Sequence, residues 1–150
     1  MFQEFKTKFN IQKEEFILPD INKFYINKDD LKQVLRFLKE TDRYLFETLE
    51  CIIGKDNTNN ALELIYALFS SKYNTKCAVS INIQDDFSVP SVVEIFPCAN
   101  FDEREIYDLL GVRFINHPKL ERILLPSDFE GNPLRKNYKM QDDRLRWNYE

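Results

Sequence analysis

Residues 29–40, with the sequence DDLKQVLRFLKE, place apolar side chains on one side of a helix and charged side chains on the other. The acidic residues at its start suit a first helical turn, and Asn27 or Asp29 could cap it. The apolar spacing i, i+3, i+4 and i+7 predicts a stripe that faces a core. The residues of this stripe are Leu31, Val34, Leu35 and Leu38.

Three strand-like segments follow the helix. Residues 44–53 alternate loosely and stop at Gly54, and residues 55–60 are dense in turn formers. Residues 61–70 are rich in alanine and leucine, which favour helices, but the short polar connection before them favours a hairpin strand. Residues 75–83 alternate most regularly. The residues predicted to share one face there are Cys77, Val79, Ile81 and Ile83.

These elements predict an α+β fold, in which an N-terminal helix is combined with an antiparallel three-stranded meander. Residues 1–20 are expected to form an extended or partly ordered lead-in that closes at Pro19. A length of 150 residues fits a single domain. We divide it into an α+β part, residues 1–99, and a part made of a second helix and a tail, residues 100–150.

The second helix is predicted for residues 100–110. Asn100 is a natural N-cap, and Glu103 follows three residues later in a variant of the capping box. Asp102, Glu103 and Glu105 also place negative charge near the helix N-terminus, where the helix dipole favours it. Gly111 suits the position after the helix, where a left-handed backbone is needed.

Beyond this helix the chain is expected to be irregular. Its prolines fix φ and push the preceding residue away from helical conformations, so the segment cannot form a regular ladder. Its backbone groups must then be satisfied by packing on this domain or on another protein. The residues expected to shape this segment are Pro118, Pro126, Gly131 and Pro133.

Composition narrows the function classes. A net charge of −4 and a pI near 5.2 argue against a nucleic-acid-binding protein, which usually carries a basic field. No apolar run approaches the roughly 18 residues of a membrane span, and the N-terminus has no apolar signal region. Three scattered cysteines and one histidine are not spaced as a disulfide framework or as a metal site. We therefore expect buried thiols in a reducing compartment.

Arginine is concentrated in the last third of the chain, whereas lysine dominates the rest. Because a guanidinium group pairs carboxylates in a bidentate geometry and tolerates desolvation, this third suits buried or interfacial ion pairs. The six arginines after residue 100 are Arg104, Arg113, Arg122, Arg135, Arg144 and Arg146.

The most specific pattern in the chain is an ordered set of charged, glycine and proline positions between residues 103 and 138. Its order and spacing resemble the signature of the thirty-kilodalton subunit of respiratory complex I, the NADH–quinone oxidoreductase. The pattern is equally similar to the homologous subunit of membrane-bound energy-converting hydrogenases. Asn132 and Asn137 depart from the family, which commonly has histidine and aspartate there. The matching residues are Glu103, Arg104, Glu105, Asp108, Gly111, Phe114, His117, Pro118, Leu120, Arg122, Pro126, Gly131, Pro133, Arg135, Lys136 and Tyr138.

The resemblance implies a non-catalytic structural subunit on the cytoplasmic or matrix face of an energy-converting membrane, peripheral to it and without a bound cofactor or metal. Its partners would be the quinone-site subunit, which resembles a hydrogenase large subunit, and adjacent iron–sulfur subunits. Those partners carry iron–sulfur clusters together with flavin and quinone, or nickel–iron. We expect partner contacts from Glu103, Arg104, Glu105, Asp108, His117, Arg122, Arg135 and Lys136, and structural roles for Asn100, Gly111, Pro118, Gly131 and Pro133.

Other interpretations of these residues stay open. Glu105, Asp108 and His117 could serve a small stand-alone acid/base enzyme, and a soluble binding module unrelated to respiration is a third class. His117 precedes a proline, which favours a turn anchored by its side chain over a proton relay. Arg104 and Asp108 are four residues apart on a helix and could pair. Arg135 and Lys136 are either a solvated basic pair or a clamp on acidic groups of a partner.

Overall fold

A five-stranded mixed sheet, with every described helix on the same side, forms the body of the molecule. The computed structural model describes residues 2–57, 61–84 and 86–139. The strand order is β1-β2-β5-β4-β3, and β6 and β7 form a separate parallel pair. The helices are α1 (Gln3–Lys8), α2 (Leu31–Glu40) and α3 (Ala99–Leu110). The strands are β1 (Lys13–Leu18), β2 (Ile21–Ile26), β3 (Thr48–Asn57), β4 (Ala61–Ser70), β5 (Thr75–Ile83), β6 (Ser88–Pro90) and β7 (Arg113–Ile115).

The predicted α+β fold and its antiparallel meander are confirmed. Strands β4 and β5 have the predicted bounds, and β3, β4 and β5 pair antiparallel in sequence order. The prediction for the N-terminal lead-in was wrong, because residues 1–20 contain α1 and the edge strand β1. Strand β2 was not predicted, and it pairs parallel to β5, which makes the sheet mixed. Arg144, Arg146 and residues 58–60 lie outside the described residues.

Strand β3 runs on through Gly54, where the sequence pattern had placed its end. A Cβ atom at Gly54 would lie 2.4 Å from Leu110 Cδ1 and 3.5 Å from Ile106 Cγ1. Glycine is therefore used here for the close approach of α3 to the sheet, and strand pairing continues to Asn57.

The hydrophobic core lies on the face of the sheet that the helices cover. One row of cross-strand neighbours illustrates it, because Phe24, Val79, Tyr66 and Ile52 are paired successively across four strands and all are buried. Helix α2 buries the predicted stripe in this core. Neither proposed side-chain cap of α2 forms, since Asn27 accepts a hydrogen bond from Gln12 instead.

The opposite face of the sheet, called here the open face, is covered by none of the described helices. Its residues alternate with the core residues along each strand, so they follow directly from the register. The core cluster contains none of them. The open-face residues include Lys13, Glu15, Lys23, Tyr25, Thr48, Cys51, Ile53, Lys55, Asn57, Ala61, Glu63, Ile65, Ala67, Phe69, Lys76, Ala78, Ser80 and Asn82.

Candidate docking surface

Helix α3 begins at Ala99, one residue before the predicted start. The residue before it, Cys98, has helical dihedral angles, and no side chain caps the helix. The first N–H groups already have backbone acceptors, since Ala99 donates to Phe96 O and Asn100 donates to Pro97 O. Asn100 therefore has no orphan donor to satisfy, and its predicted capping role was wrong. The predicted capping box with Glu103 is absent for the same reason.

Asp102 instead joins α3 to the outer edge of the sheet. Its Oδ2 atom accepts a hydrogen bond of 2.9 Å from the backbone N–H of Ile52 in β3. An edge strand with free N–H groups is a site for unwanted strand pairing, and this contact occupies one of them. No sequence signal pointed to this role, because Asp102 resembled any acidic residue of a first helical turn.

Glu103 lies on the inner side of α3 and is fully buried. Its Oε1 atom accepts a 2.7 Å hydrogen bond from the backbone N–H of Val92. Its other oxygen and the buried hydroxyl of Tyr66 have no hydrogen-bond partner among the described residues. Burial raises the pKa of Glu103 to about 7, although the Val92 hydrogen bond opposes the rise. Its position is that of a core carboxyl group, and contact with a partner through Glu103 stays a prediction.

Asp108 is the point at which the C-terminal tail is fastened to α3. Its buried carboxylate accepts three backbone hydrogen bonds at Oδ2, from Ile123 (3.1 Å), Leu124 (2.8 Å) and Leu125 (2.9 Å). Its Oδ1 atom lies 2.5 Å from Arg122 Nη1. Burial alone would raise the pKa of Asp108, but these donors outweigh it and hold the pKa below its usual value.

Arg122 completes this anchor from the other side. It donates to the backbone carbonyls of Asp108, Phe129 and Gly131, each at 3.0 Å. One guanidinium group thus links the end of α3 to two points of the irregular tail. Because the proline-rich tail forms no regular strand pairing, two of its carbonyl groups are satisfied by the Arg122 side chain instead.

The predicted pairing of Arg104 with Asp108 was wrong. Arg104 points to the tail, where Nη2 lies 3.3 Å from Glu121 Oε1 and Nε donates to the Glu121 carbonyl. The Asp108 carboxylate already accepts hydrogen bonds from Arg122 and from three backbone N–H groups, so it does not pair with Arg104 on its own helix.

Two glycines shape the tail as predicted. Gly111 has φ +77°, and a Cβ atom there would lie 2.6 Å from Asn132 Oδ1. Gly131 has φ +88°, and a Cβ atom there would lie 2.8 Å from Tyr138 Cε2. Asn132 uses its Nδ2 atom to reach the carbonyls of Tyr107 (3.3 Å) and Asp108 (3.0 Å). The residue that departs from the family pattern therefore still ties the tail to the end of α3, with Pro133 half-buried beside it.

Gly111→Ala is expected to destabilise the domain by about 1–3 kcal/mol, because a left-handed backbone is strained with any Cβ. The contact with Asn132 adds to that cost. In an Asn132→Ala background the extra loss should be smaller, since only the backbone strain remains. Urea unfolding of the four proteins of this cycle measures both parts, and a Gly111→Ala variant as stable as the parent would contradict the prediction.

His117 anchors a turn, in agreement with the favoured interpretation. The backbone N–H of Lys119 donates to His117 Nδ1 at 3.0 Å, and Nε2 lies 3.2 Å from the Asn100 carbonyl oxygen. Because Nδ1 accepts from Lys119, Nε2 is the ring nitrogen placed to donate to the Asn100 carbonyl. Pro118 is exposed within the same turn. The ring thus ties the start of α3 to the chain that follows β7.

The three residues of the acid/base alternative share no hydrogen bond among the described residues. Asp108 is enclosed by its own donors, His117 is engaged in a turn, and Glu105 is exposed. A general acid/base pair needs hydrogen-bond reach to one reacting atom. The geometry therefore gives the stand-alone enzyme no support.

Arg135 is paired within the chain. Its Nε atom lies 3.2 Å from Asp56 Oδ2 in β3, and its guanidinium group covers the Phe87 ring at 4.3 Å. The backbone N–H of Lys136 donates to the same Asp56 oxygen at 2.9 Å. The tail is thus fastened a second time, to the sheet. Asp56 lay in a predicted turn, so no sequence signal pointed to this pair.

Five side chains along α3 and its fastened tail point away from the domain, and we call them the docking surface. Three are large apolar groups, Phe101 (67% exposed), Leu124 (58%) and Leu134 (59%). The other two are Glu105 and Lys136, whose charged groups make no ion pair with the described residues. Exposed apolar side chains set among unpaired charges are typical of a protein-binding surface.

Two further properties bear on function. Within the described ranges, no group of three or more His, Cys, Asp and Glu side chains is arranged to hold a metal ion. None of the described helices is long and apolar enough to cross a membrane.

Comparison with known proteins identifies the family. The family model for the respiratory-chain NADH dehydrogenase, 30 Kd subunit, matches residues 24–144. The chain is 40% identical over 116 residues to a subunit of the NADH-quinone oxidoreductase of Chelativorans sp. (strain BNC1), an alignment covering 76% of this chain and 58% of that protein. It is 41% identical over 119 residues to NADH dehydrogenase (ubiquinone) iron-sulfur protein 3 of Oryza sativa subsp. japonica, covering 78% of this chain and 63% of that protein.

The fold also matches a solved structure, that of the membrane-bound sulfane sulfur reductase, an archaeal respiratory membrane complex. The TM-score is 0.80 at 25% identity, covering 98% of this chain and 88% of the matched one. The chain spans about three fifths of the length of the bacterial and plant relatives. Because the family model covers most of the sequence, this chain belongs to the family of the 30-kilodalton subunit of respiratory-chain NADH dehydrogenase.

Proposed function

We propose that this chain is a structural subunit in the peripheral arm of a complex I-like NADH–quinone oxidoreductase, without a catalytic residue or cofactor of its own. Its partners would be the quinone-site subunit, of the hydrogenase-large-subunit type, and adjacent iron–sulfur subunits. It would lie peripherally on the cytoplasmic or matrix face of the membrane and keep those partners in register for electron transfer. The partners would carry the iron–sulfur clusters, flavin and quinone.

The observation that carries the proposal is the way the tail is used. Asp108 and Arg122 satisfy its irregular backbone from within the chain, while Phe101, Leu124 and Leu134 remain exposed. A fixed backbone that displays apolar side chains binds at a low entropic cost. Asp108, Arg122 and Arg135 would then act by positioning the docking surface, and Glu105 and Lys136 would contact the partner directly.

A second candidate is the equivalent subunit of a membrane-bound energy-converting complex of the hydrogenase type, whose partners would carry nickel–iron. The fold match to a chain of an archaeal respiratory membrane complex supports this second candidate. Both candidates use the same docking surface. Mass spectrometry of the purified complex would separate them by the cofactor-bearing subunits that accompany this chain.

Glu105→Ala and Lys136→Glu are expected to reduce recovery of the partner subunits at least tenfold in affinity purification from native membranes. Neither side chain supports the fold, so the thermal unfolding of the isolated chain should hardly change. Glu40→Ala is a matched control, since Glu40 is an exposed helical acid on α2. Unchanged recovery of the partners with both variants would refute the proposed docking surface.

A further inference from the structure

The open face of the sheet has an apolar centre although no described helix covers it. At its centre Ile53 and Ile65 are direct cross-strand neighbours, and Ile53 is 48% exposed. Ala67 and Ala78, paired across β4 and β5, extend this apolar centre. An antiparallel sheet with one solvated face usually alternates apolar with polar residues, so an apolar centre on this side calls for an explanation.

Beside the apolar centre the charged groups are already paired. Lys23 and Glu63 form an ion pair in which both residues are less than 10% exposed, and Ser80 donates to the same carboxylate at 2.8 Å. Tyr25 donates to Glu15 at 2.9 Å, completing the network. A polar network that is satisfied in advance can be covered by a partner without leaving a buried charge unpaired.

The network nevertheless carries an excess of positive charge. Lys13 pairs with Glu15, but Glu63 is shared, since Lys55 Nζ lies 4.0 Å from its second oxygen while Lys23 holds the first. Three lysines therefore face two carboxylates, in a chain whose net charge is −4. The side chains of Lys13 and Lys55 are each more than 60% exposed, so this excess is available to a binding partner.

These two lysines stand on opposite sides of a cleft of about 430 Å³ at one end of the open face. Amide groups of Gln12, Asn57 and Asn82, the ring of Tyr25 and the carboxylate of Glu63, which is already paired with Lys23, line it as well. Ammonium and amide donors around such a cleft suit a carboxylate. Since Lys55 and Ile53 are two residues apart on β3, the cleft adjoins the apolar centre.

We propose that the open face is a second protein-docking surface, on which a partner subunit seats an apolar side chain against Ile53 and Ile65 and a carboxylate between Lys13 and Lys55. This inference rests on the proposed function, because it assumes a multi-subunit complex. It assigns the occupant to a different subunit, with an acidic residue beside an apolar one. With the docking surface on α3 and the tail, the chain would then hold two partners and bridge them.

The test places a photoreactive phenylalanine at position 53 of the full chain in the assembled complex, with the same probe at Phe16, another exposed apolar site, for comparison. Irradiation is expected to link position 53 to another subunit, in a peptide that mass spectrometry shows to contain an Asp or Glu. Lys55→Glu in the same chain should reduce this product at least fivefold, and Lys55→Arg should restore it.

A complex that assembles normally but yields no product from position 53 would overturn the inference and leave the proposed function standing. Links only to a second copy of this chain, or only to its own residues 140–150, would overturn it too. If the chain associates with no other subunit at all, the proposed function fails and this inference fails with it. Equal products from the Lys55→Glu variant and the parent would remove the carboxylate part of the proposal.

Discussion

Asp108→Ala is expected to release the C-terminal tail and to cost about 3–5 kcal/mol of unfolding free energy. The substitution leaves Arg122 without its carboxylate and strips three backbone N–H groups of their acceptor, in a place that water reaches poorly. Donors left unsatisfied after the loss of one partner carry the full penalty of their desolvation. Denaturant unfolding measures the loss, and hydrogen exchange at residues 123–125 shows whether the tail has opened.

Glu105→Ala is the matched control for this prediction. Glu105 lies three residues before Asp108 on the same helix, but its side chain is exposed and bonded to none of the described residues. Its removal should change the free energy of unfolding by less than about 0.5 kcal/mol and leave exchange at residues 123–125 slow. The two variants therefore distinguish the role of Asp108 in anchoring the tail from the proposed role of Glu105 in contacting a partner. Slow exchange at those amides in Asp108→Ala would show that the anchor is not needed.

Glu103→Gln is expected to remove a pH dependence from the stability of the domain. The pKa of Glu103 is about 7 in the folded chain against a usual value of 4.5, so the unfolded state releases this proton first as pH rises. The neutral carboxyl group of Glu103 therefore stabilises the fold fully below about pH 4.5, and this stabilisation is lost as pH rises to about 7. The difference corresponds to about 3 kcal/mol. Glutamine cannot ionise, so the variant should gain that amount relative to the parent between about pH 4.5 and about pH 8.

The comparison with the parent protein isolates Glu103 from other titrating groups. Asp108 and Glu63 have lowered pKa values and favour folding as pH rises, but their contributions cancel between parent and variant. The charged neighbours are Asp102, which raises the pKa of Glu103, and Lys32 on α2, which lowers it. Both remain in the variant.

Tyr66→Phe serves as the second reference for this measurement. It removes the buried hydroxyl that faces Glu103 but leaves the carboxyl group in place, so the pH dependence should persist. Denaturant unfolding across the same pH range supplies the values for all three proteins. A parallel pH profile for Glu103→Gln and the parent would show that this carboxyl group does not titrate between the folded and unfolded states.

Much of the sheet could be predicted because its signals are local. The alternation in residues 75–83 and the turn formers before Ala61 each report on a neighbouring strand, and both elements were placed correctly. The parallel pairing of β2 with β5 could not be found in this way, because it joins segments about fifty residues apart. Local periodicity carries no information about such a partner.

In the candidate docking surface, too, local backbone features could be predicted from the sequence but long-range side-chain partners could not. The left-handed backbone at Gly111 was predicted because glycine is the residue type that adopts it most easily, and the structure gives this residue a positive φ. The partners of the charged residues were not predictable. Asp56 accepts from Lys136 across eighty positions, and the Glu121 partner of Arg104 lies seventeen residues away. The carboxylate that an arginine contacts depends on tertiary packing, and residue spacing along one helix does not determine it.

The two fastenings of the tail also impose an order on folding. The anchor at Asp108 exists only on a formed α3, and the pair of Arg135 with Asp56 exists only on a formed β3. The contacts of Asp56 join residues about eighty positions apart, and because loop-closure entropy opposes such contacts they form late. The tail should therefore join a sheet that is already folded, and it can open locally without unfolding the sheet. In a subunit that is built into a larger assembly, that last step can be completed while a partner is already in place.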